Sequence, residues 1–96
     1  MNDFEKLIQD IETEARAEGP AAVAELRAFD ARFTLAAELL GARKAAHVSQ
    51  RQLAELTGVQ QAEISKIERG EISPRLSTVD RLLRPLGRKL AVISDD

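Results

Sequence analysis

The segment Ser49–Gly70, SQRQLAELTGVQQAEISKIERG, constrains this chain more than any other stretch. Ser49 is a strong helix N-cap, and Gln52 three residues on completes a capping box. Leu53 and Leu56 supply the apolar face of the helix that follows. Gly58 ends that helix and turns the chain, since glycine enters the left-handed region without steric cost. Gln60 or Gln61 opens a second short helix whose buried face is Ile64 and Ile67, and Gly70 terminates it. The segment therefore predicts two short helices joined by a tight turn.

The rest of the chain is also helical in pattern. Phe4, Leu7, Ile8, Ile11 and Ala15 recur at i, i+3, i+4 and i+7, which predicts an amphipathic helix of about four turns with an acidic outer face. Asn2 or Asp3 can cap it, and Gly19-Pro20 stops it. A second helical stretch begins near Pro20, which suits a first turn. Val23, Leu26, Phe29 and Phe33 give it one apolar face, and Leu35, Ala36, Leu39 and Leu40 continue the pattern after a break near Asp30. Gly41 lies inside this stretch, which should end around Ala46-His47. After the loop EISPR, a further helix places Leu76, Val79, Leu82 and Leu83 inward, and it ends or kinks at Pro85, which lacks an N–H. The closing RKLAVIS carries β-prone Val92 and Ile93. No internal repeat is visible.

Composition removes several classes of function. Ninety-six residues suit one compact domain with an appended arm, and a chain this short gains from oligomerisation. There is no Cys, hence no disulfide framework and no cysteine-based zinc site. Without Trp or Tyr, and with three Phe, a base-stacking platform for single strands is disfavoured. No apolar run approaches a membrane span, and MNDFEKLIQD lacks a signal peptide's apolar centre, so a cytoplasmic protein is the expectation. One His, no phosphate-cradling loop and no cofactor motif argue against an enzyme, and no catalytic residue, cofactor or metal is expected. Ser49 has no base positioned to make it a nucleophile, and His47 reads as an exposed residue tolerating a left-handed helix end.

The net charge of −2 conceals a division. Residues 1–38 hold nine acids and four bases, a charge of −5, whereas residues 39–96 hold seven acids and ten bases, a charge of +3. An acidic front joined to a basic back suggests two partners.

The second helix of the Ser49–Gly70 pair has chemistry to match the basic half. Opposite Ile64 and Ile67 lie Gln61, Ala62, Ser65 and Lys66. Gln pairs bidentately with adenine, Lys reaches guanine, and Ala touches a thymine methyl. A solvated helix face has the same composition, so polarity alone does not decide between them. The wider pattern bears on the choice. Arg43, Gln50 seven residues on, Leu53-Ala54, Gly58-Val59, Ile64, Ile67-Glu68 and Gly70 closely resemble the helix-turn-helix of phage-repressor-like (Cro/C1, or Xre) regulators. The resemblance runs from about Leu39 to Leu86.

It implies a mostly α fold: a five-helix, lambda-repressor-like DNA-binding domain that docks as a dimer, here with an N-terminal helical extension and a short C-terminal β-strand. By position it implies that Gln61, Ala62, Ser65 and Lys66 face bases. Gln50, Arg75 and Ser77 would approach phosphates, and Arg43 and Glu68 would form a structural ion pair. Gln60 departs from the usual Ser or Thr cap, His47 stands where Gly is usual, and Pro85 replaces a common Ala.

Size, charge split and segment order further resemble antitoxins of the HigA type. In that family a small basic RNA-cleaving toxin is bound and the antitoxin represses its own operon. The expected layout is a candidate toxin-binding extension over residues 1–34, the helix-turn-helix domain over 35–87, and a dimerisation strand and tail over 88–96. Phe4, Leu7, Ile8, Ile11, Leu26 and Phe29 are the toxin-binding candidates, although the same helices could simply extend the core. Leu90, Val92 and Ile93 are the dimerisation candidates, because a strand with no partner in its own chain pairs best with its copy across a two-fold axis. The alternative is a stand-alone Xre-like regulator without a toxin.

Overall fold

Five α-helices and a closing 3₁₀ turn make up the protein, described over residues 3–95 by a computed structural model. They are α1 (Asp3–Glu18), α2 (Pro20–Ala45), α3 (Gln50–Thr57), α4 (Gln61–Glu68) and α5 (Leu76–Leu83), followed by the turn Arg84–Leu86. Asn2, one of the two candidate caps for α1, lies outside the described residues. The chain divides into two compact units, Met1–Ala31 and Arg32–Asp96. No helix among the described residues is long and apolar enough to cross a membrane.

The first unit holds α1 and the start of α2. Asp3 and Glu5 in the first turn of α1, and Arg16 in its last, complement the helix dipole. Gly19 breaks the helix at φ +111°, and Pro20 opens α2, where its missing N–H costs nothing. Ala15 is buried, but Phe4, Leu7, Ile8, Ile11 and Phe29 remain exposed. The amphipathic pattern is present, yet Phe4 and Leu7 stay more than half exposed.

The second unit carries the hydrophobic core. Leu39 and Ala42 of α2, Leu53 of α3, Val59 of the turn, Ile64 and Ile67 of α4, and Val79, Leu82, Leu83 and Leu86 pack together. The domain implied as five-helix is built here from the end of α2, α3, α4, α5 and the 3₁₀ turn. No break occurs near Asp30, for α2 runs through it to Ala45.

Helix ends follow local chemistry. The Ser49 hydroxyl accepts from the Gln52 backbone N–H at 3.0 Å, and the Gln52 side-chain oxygen Oε1 accepts from the Ser49 backbone N–H at 2.8 Å. Thr57 donates to the Leu53 carbonyl at 2.7 Å and accepts from the Val59 N–H at 3.2 Å, which pins the turn between α3 and α4. His47 closes α2 at φ +56°, with its N–H on the Lys44 carbonyl and the Val48 N–H on that of Arg43. Gly70 closes α4 at φ +71° with the same paired bonds, to Ile67 and from Glu71 to Lys66.

Three further expectations are corrected. Leu56 is exposed rather than inward, because α3 buries the stripe through Gln50, Leu53, Ala54 and Thr57, and Leu56 sits roughly 100° round the helix from it. Leu76 is exposed too, being the first residue of α5, a turn ahead of the core stripe that starts at Val79. The C-terminal β-strand is not formed. No strand occurs among the described residues, and Leu90, Val92 and Ile93 are exposed. A strand needs a second strand to satisfy its ladder, and none is present among the described residues.

Candidate nucleic-acid interface

α4 divides sharply into two faces. Ile64 and Ile67 are fully buried, whereas Gln61, Ala62 and Lys66 are exposed and Ser65 is half-buried. The turn after Gly58 aims this face outward while the two isoleucines anchor it. Gln60 caps α4 without a side-chain hydrogen bond, so the first N–H groups of the helix keep no side-chain acceptor from that residue.

Beneath α4 lies a polar lock. Arg43 Nε donates to Glu68 Oε2 at 2.8 Å, and Nη2 donates to Oε1 at 2.9 Å. Its third nitrogen, Nη1, donates to the Val48 carbonyl at 2.9 Å. Gln50 Nε2 adds a fourth bond, to Glu68 Oε1 at 2.9 Å. The side chains are only 11% and 4% exposed for Arg43 and Glu68, so the pair is shielded from water. Burial pushes the Glu68 carboxyl up, but the bonds from Arg43 and Gln50 and the charges of Arg43 and Lys44 outweigh it and hold the group below its ordinary value. The bond to Glu68 likewise raises the Arg43 guanidinium, against the effect of burial. The lock ties the end of α2, the start of α3 and the end of α4 together, and so fixes the attitude of the exposed face.

Gln50, expected at a phosphate, has its side-chain amide on Glu68. Its backbone N–H lies in the first turn of α3, where N–H groups have no acceptor within the helix and are open to an anion. Arg75 and Ser77 are both exposed at the start of α5. The candidates Phe4, Leu7, Ile8, Ile11 and Phe29 are exposed in the first unit, and Leu26 is half-buried there.

Sequence reasoning missed Arg69. It stands one turn beyond Ser65 on the exposed face, and its Nη1 donates to the Ser65 hydroxyl at 2.5 Å. Its Nε and Nη2 donate to the two carboxylate oxygens of Glu71 at 2.9 and 3.1 Å. The i, i+4 spacing from Ser65 was available as a signal, but its position just before Gly70 marked it as a helix end. The hydrogen bonds of Gln50 and Thr57 were likewise outside the reach of spacing.

The comparisons with known proteins agree with this geometry. The model of the helix-turn-helix family matches residues 39–93. A Haemophilus influenzae protein described as an uncharacterized HTH-type transcriptional regulator is 41% identical over 69 residues, 72% of this chain and 70% of its own length. A chain of a solved toxin–antitoxin module from Streptococcus pneumoniae is 39% identical with a TM-score of 0.58, over 74% of this chain and 79% of that one.

Proposed function

The chain belongs to the helix-turn-helix family, and on that premise we propose that it is a dimeric, sequence-specific repressor and the antitoxin of a HigBA-like pair. The observation that carries the DNA-binding part is the split of α4, with two fully buried isoleucines behind and Gln61, Ala62, Ser65 and Lys66 in front. Two such helices from a dimer enter successive major grooves about 34 Å apart, so the operator is near-palindromic. Gln61 and Lys66 read base edges. The backbone N–H groups at the start of α3, with Arg75 and Ser77, hold phosphates. In this layout residues 35–87 bind DNA and the tail over 88–96 contributes Leu90, Val92 and Ile93 to the dimer.

The antitoxin part is supported by the likeness to the Streptococcus pneumoniae module and by the exposed apolar side chains of the first unit. Phe4 is 70% exposed, Leu7 54% and Phe29 48%. A face of this kind, set among acids, suits a small basic partner that covers the apolar stripe while its charges meet the acidic rim. Residues 1–34 would thereby hold the toxin.

The test is co-purification with the product of the adjacent reading frame. A tagged full-length chain should retain a small basic protein, and a chain lacking residues 1–18 should not. Undiminished retention by the shortened chain would rule out the first helix as the toxin site.

A further inference from the structure

We infer that Arg69 and Glu71 are positioning residues that set what Ser65 reads on a base. The inference rests on the DNA-binding reading above and specifies one of its contacts.

The Ser65 hydroxyl is engaged differently from those of Thr13 and Thr57. Thr13 and Thr57 each donate their proton to the carbonyl four residues back, at 2.9 and 2.7 Å. Ser65 accepts a bond from Arg69 Nη1 and donates none to any described residue. A serine hydroxyl has one proton to donate and two lone pairs. One lone pair faces a guanidinium, and the proton is uncommitted.

Charge then biases the second lone pair. Accepting from a cation polarises the hydroxyl, making it a better donor and a poorer acceptor. A base amino group brought to the free lone pair would also face the N–H of Arg69, positive edge to positive edge. A base acceptor meets the proton with no such conflict. Ser65 is therefore biased towards guanine N7 or O6, thymine O4 or adenine N7, and against the N4 amino group of cytosine.

Glu71 keeps Arg69 in this pose. All three guanidinium nitrogens are engaged, two by one carboxylate and the third by Ser65. Arg69 and Glu71 are about half-exposed in the free protein, where water weakens the clamp. Docking against DNA excludes that water and strengthens it. The carboxylate also neutralises the arginine, which limits a competing swing of Arg69 to a phosphate.

The test selects bound duplexes from a randomised pool with the full-length chain, Ser65→Ala, Arg69→Ala and Glu71→Ala, after thermal melts show each variant folded. Ser65→Ala marks the base position it serves by erasing preference there. Arg69→Ala and Glu71→Ala should weaken preference at that same position by roughly five- to tenfold, about the worth of one hydrogen bond. Preferences at other positions should stay within about twofold, since only the Ser65 contact has changed. The inference is overturned if Arg69→Ala keeps the full preference, or if Ser65→Ala alters no position. A full-length chain that enriches no sequence at all overturns the DNA-binding reading itself, and a distinct failure is thereby recognisable.

Discussion

Arg43 and Glu68, 25 residues apart in sequence, meet in a two-bond fork at 2.8 and 2.9 Å beneath the exposed face of α4. The fork links two helices and is almost closed to water, with side chains 11% and 4% exposed. A buried pair of this kind adds little net stability over a well-packed apolar pair, yet breaking one side leaves a charge stranded. Glu68→Ala should therefore cost about 3–5 kcal/mol. The double variant Arg43→Met, Glu68→Leu should recover most of that loss. Urea unfolding followed by circular dichroism measures both, and equal losses in the two variants would mean that the charges themselves contribute stability.

Acid should act on the same carboxyl. Its value in the folded chain lies below the ordinary one, while in the unfolded chain it titrates near about 4.3. A lowered folded value gives stability that is complete above the unfolded value and lost as pH falls through the folded one. Glu68→Gln removes this dependence. The stability gap between the parent chain and Glu68→Gln should be constant from about pH 7 to 5 and narrow below about pH 4. A gap that holds constant to pH 3 would show that the carboxylate's charge is not what the pair depends on.

The end of α2 offers a gain in stability. His47 closes that helix at φ +56°, a conformation that costs a side-chain-bearing residue roughly 1 kcal/mol. His47→Gly should raise the unfolding free energy by about 1 kcal/mol. Gly70→Ala should lower it by a similar amount, since Gly70 has φ +71°. The added methyl would meet the Phe33 ring at an ordinary 3.7 Å, so the loss is conformational and not a clash. Thermal melts of the two variants should shift in opposite directions.

Gly41 gives a complementary case. It lies inside α2 with an ordinary helical backbone, and a methyl group there would meet no atom within 4 Å. Gly41→Ala should stabilise the protein by about 0.5–1 kcal/mol. No gain would imply that the site faces something not apparent in the single chain.

Much of the fold was legible because it rests on local chemistry. Ser49 and Gln52 satisfy each other's N–H groups, Gly58 and Gly70 take the left-handed turns, and Ile64 and Ile67 recur at helical spacing. What escaped depends on distant placement. Leu56 and Leu76 fit an apolar spacing, but in helices of eight residues the direction of the core is set by neighbours that spacing does not specify. The C-terminal Val92 and Ile93 favour strand by composition, yet a strand exists only when paired. At the candidate interface, residue types and faces could be read, whereas the bonds from Gln50 to Glu68 and from Arg69 to Ser65 and Glu71 depend on rotamers.

DNA affinity tests the central claim most directly. Operator binding by Gln61→Ala, Lys66→Ala should be compared with the full-length parent by gel shift, with circular dichroism confirming that both are folded. The parent's affinity should fall steeply as salt rises. Each substitution should cost about 1–3 kcal/mol and relax sequence preference. Unchanged operator binding by the double variant would show that the exposed face of α4 does not read DNA.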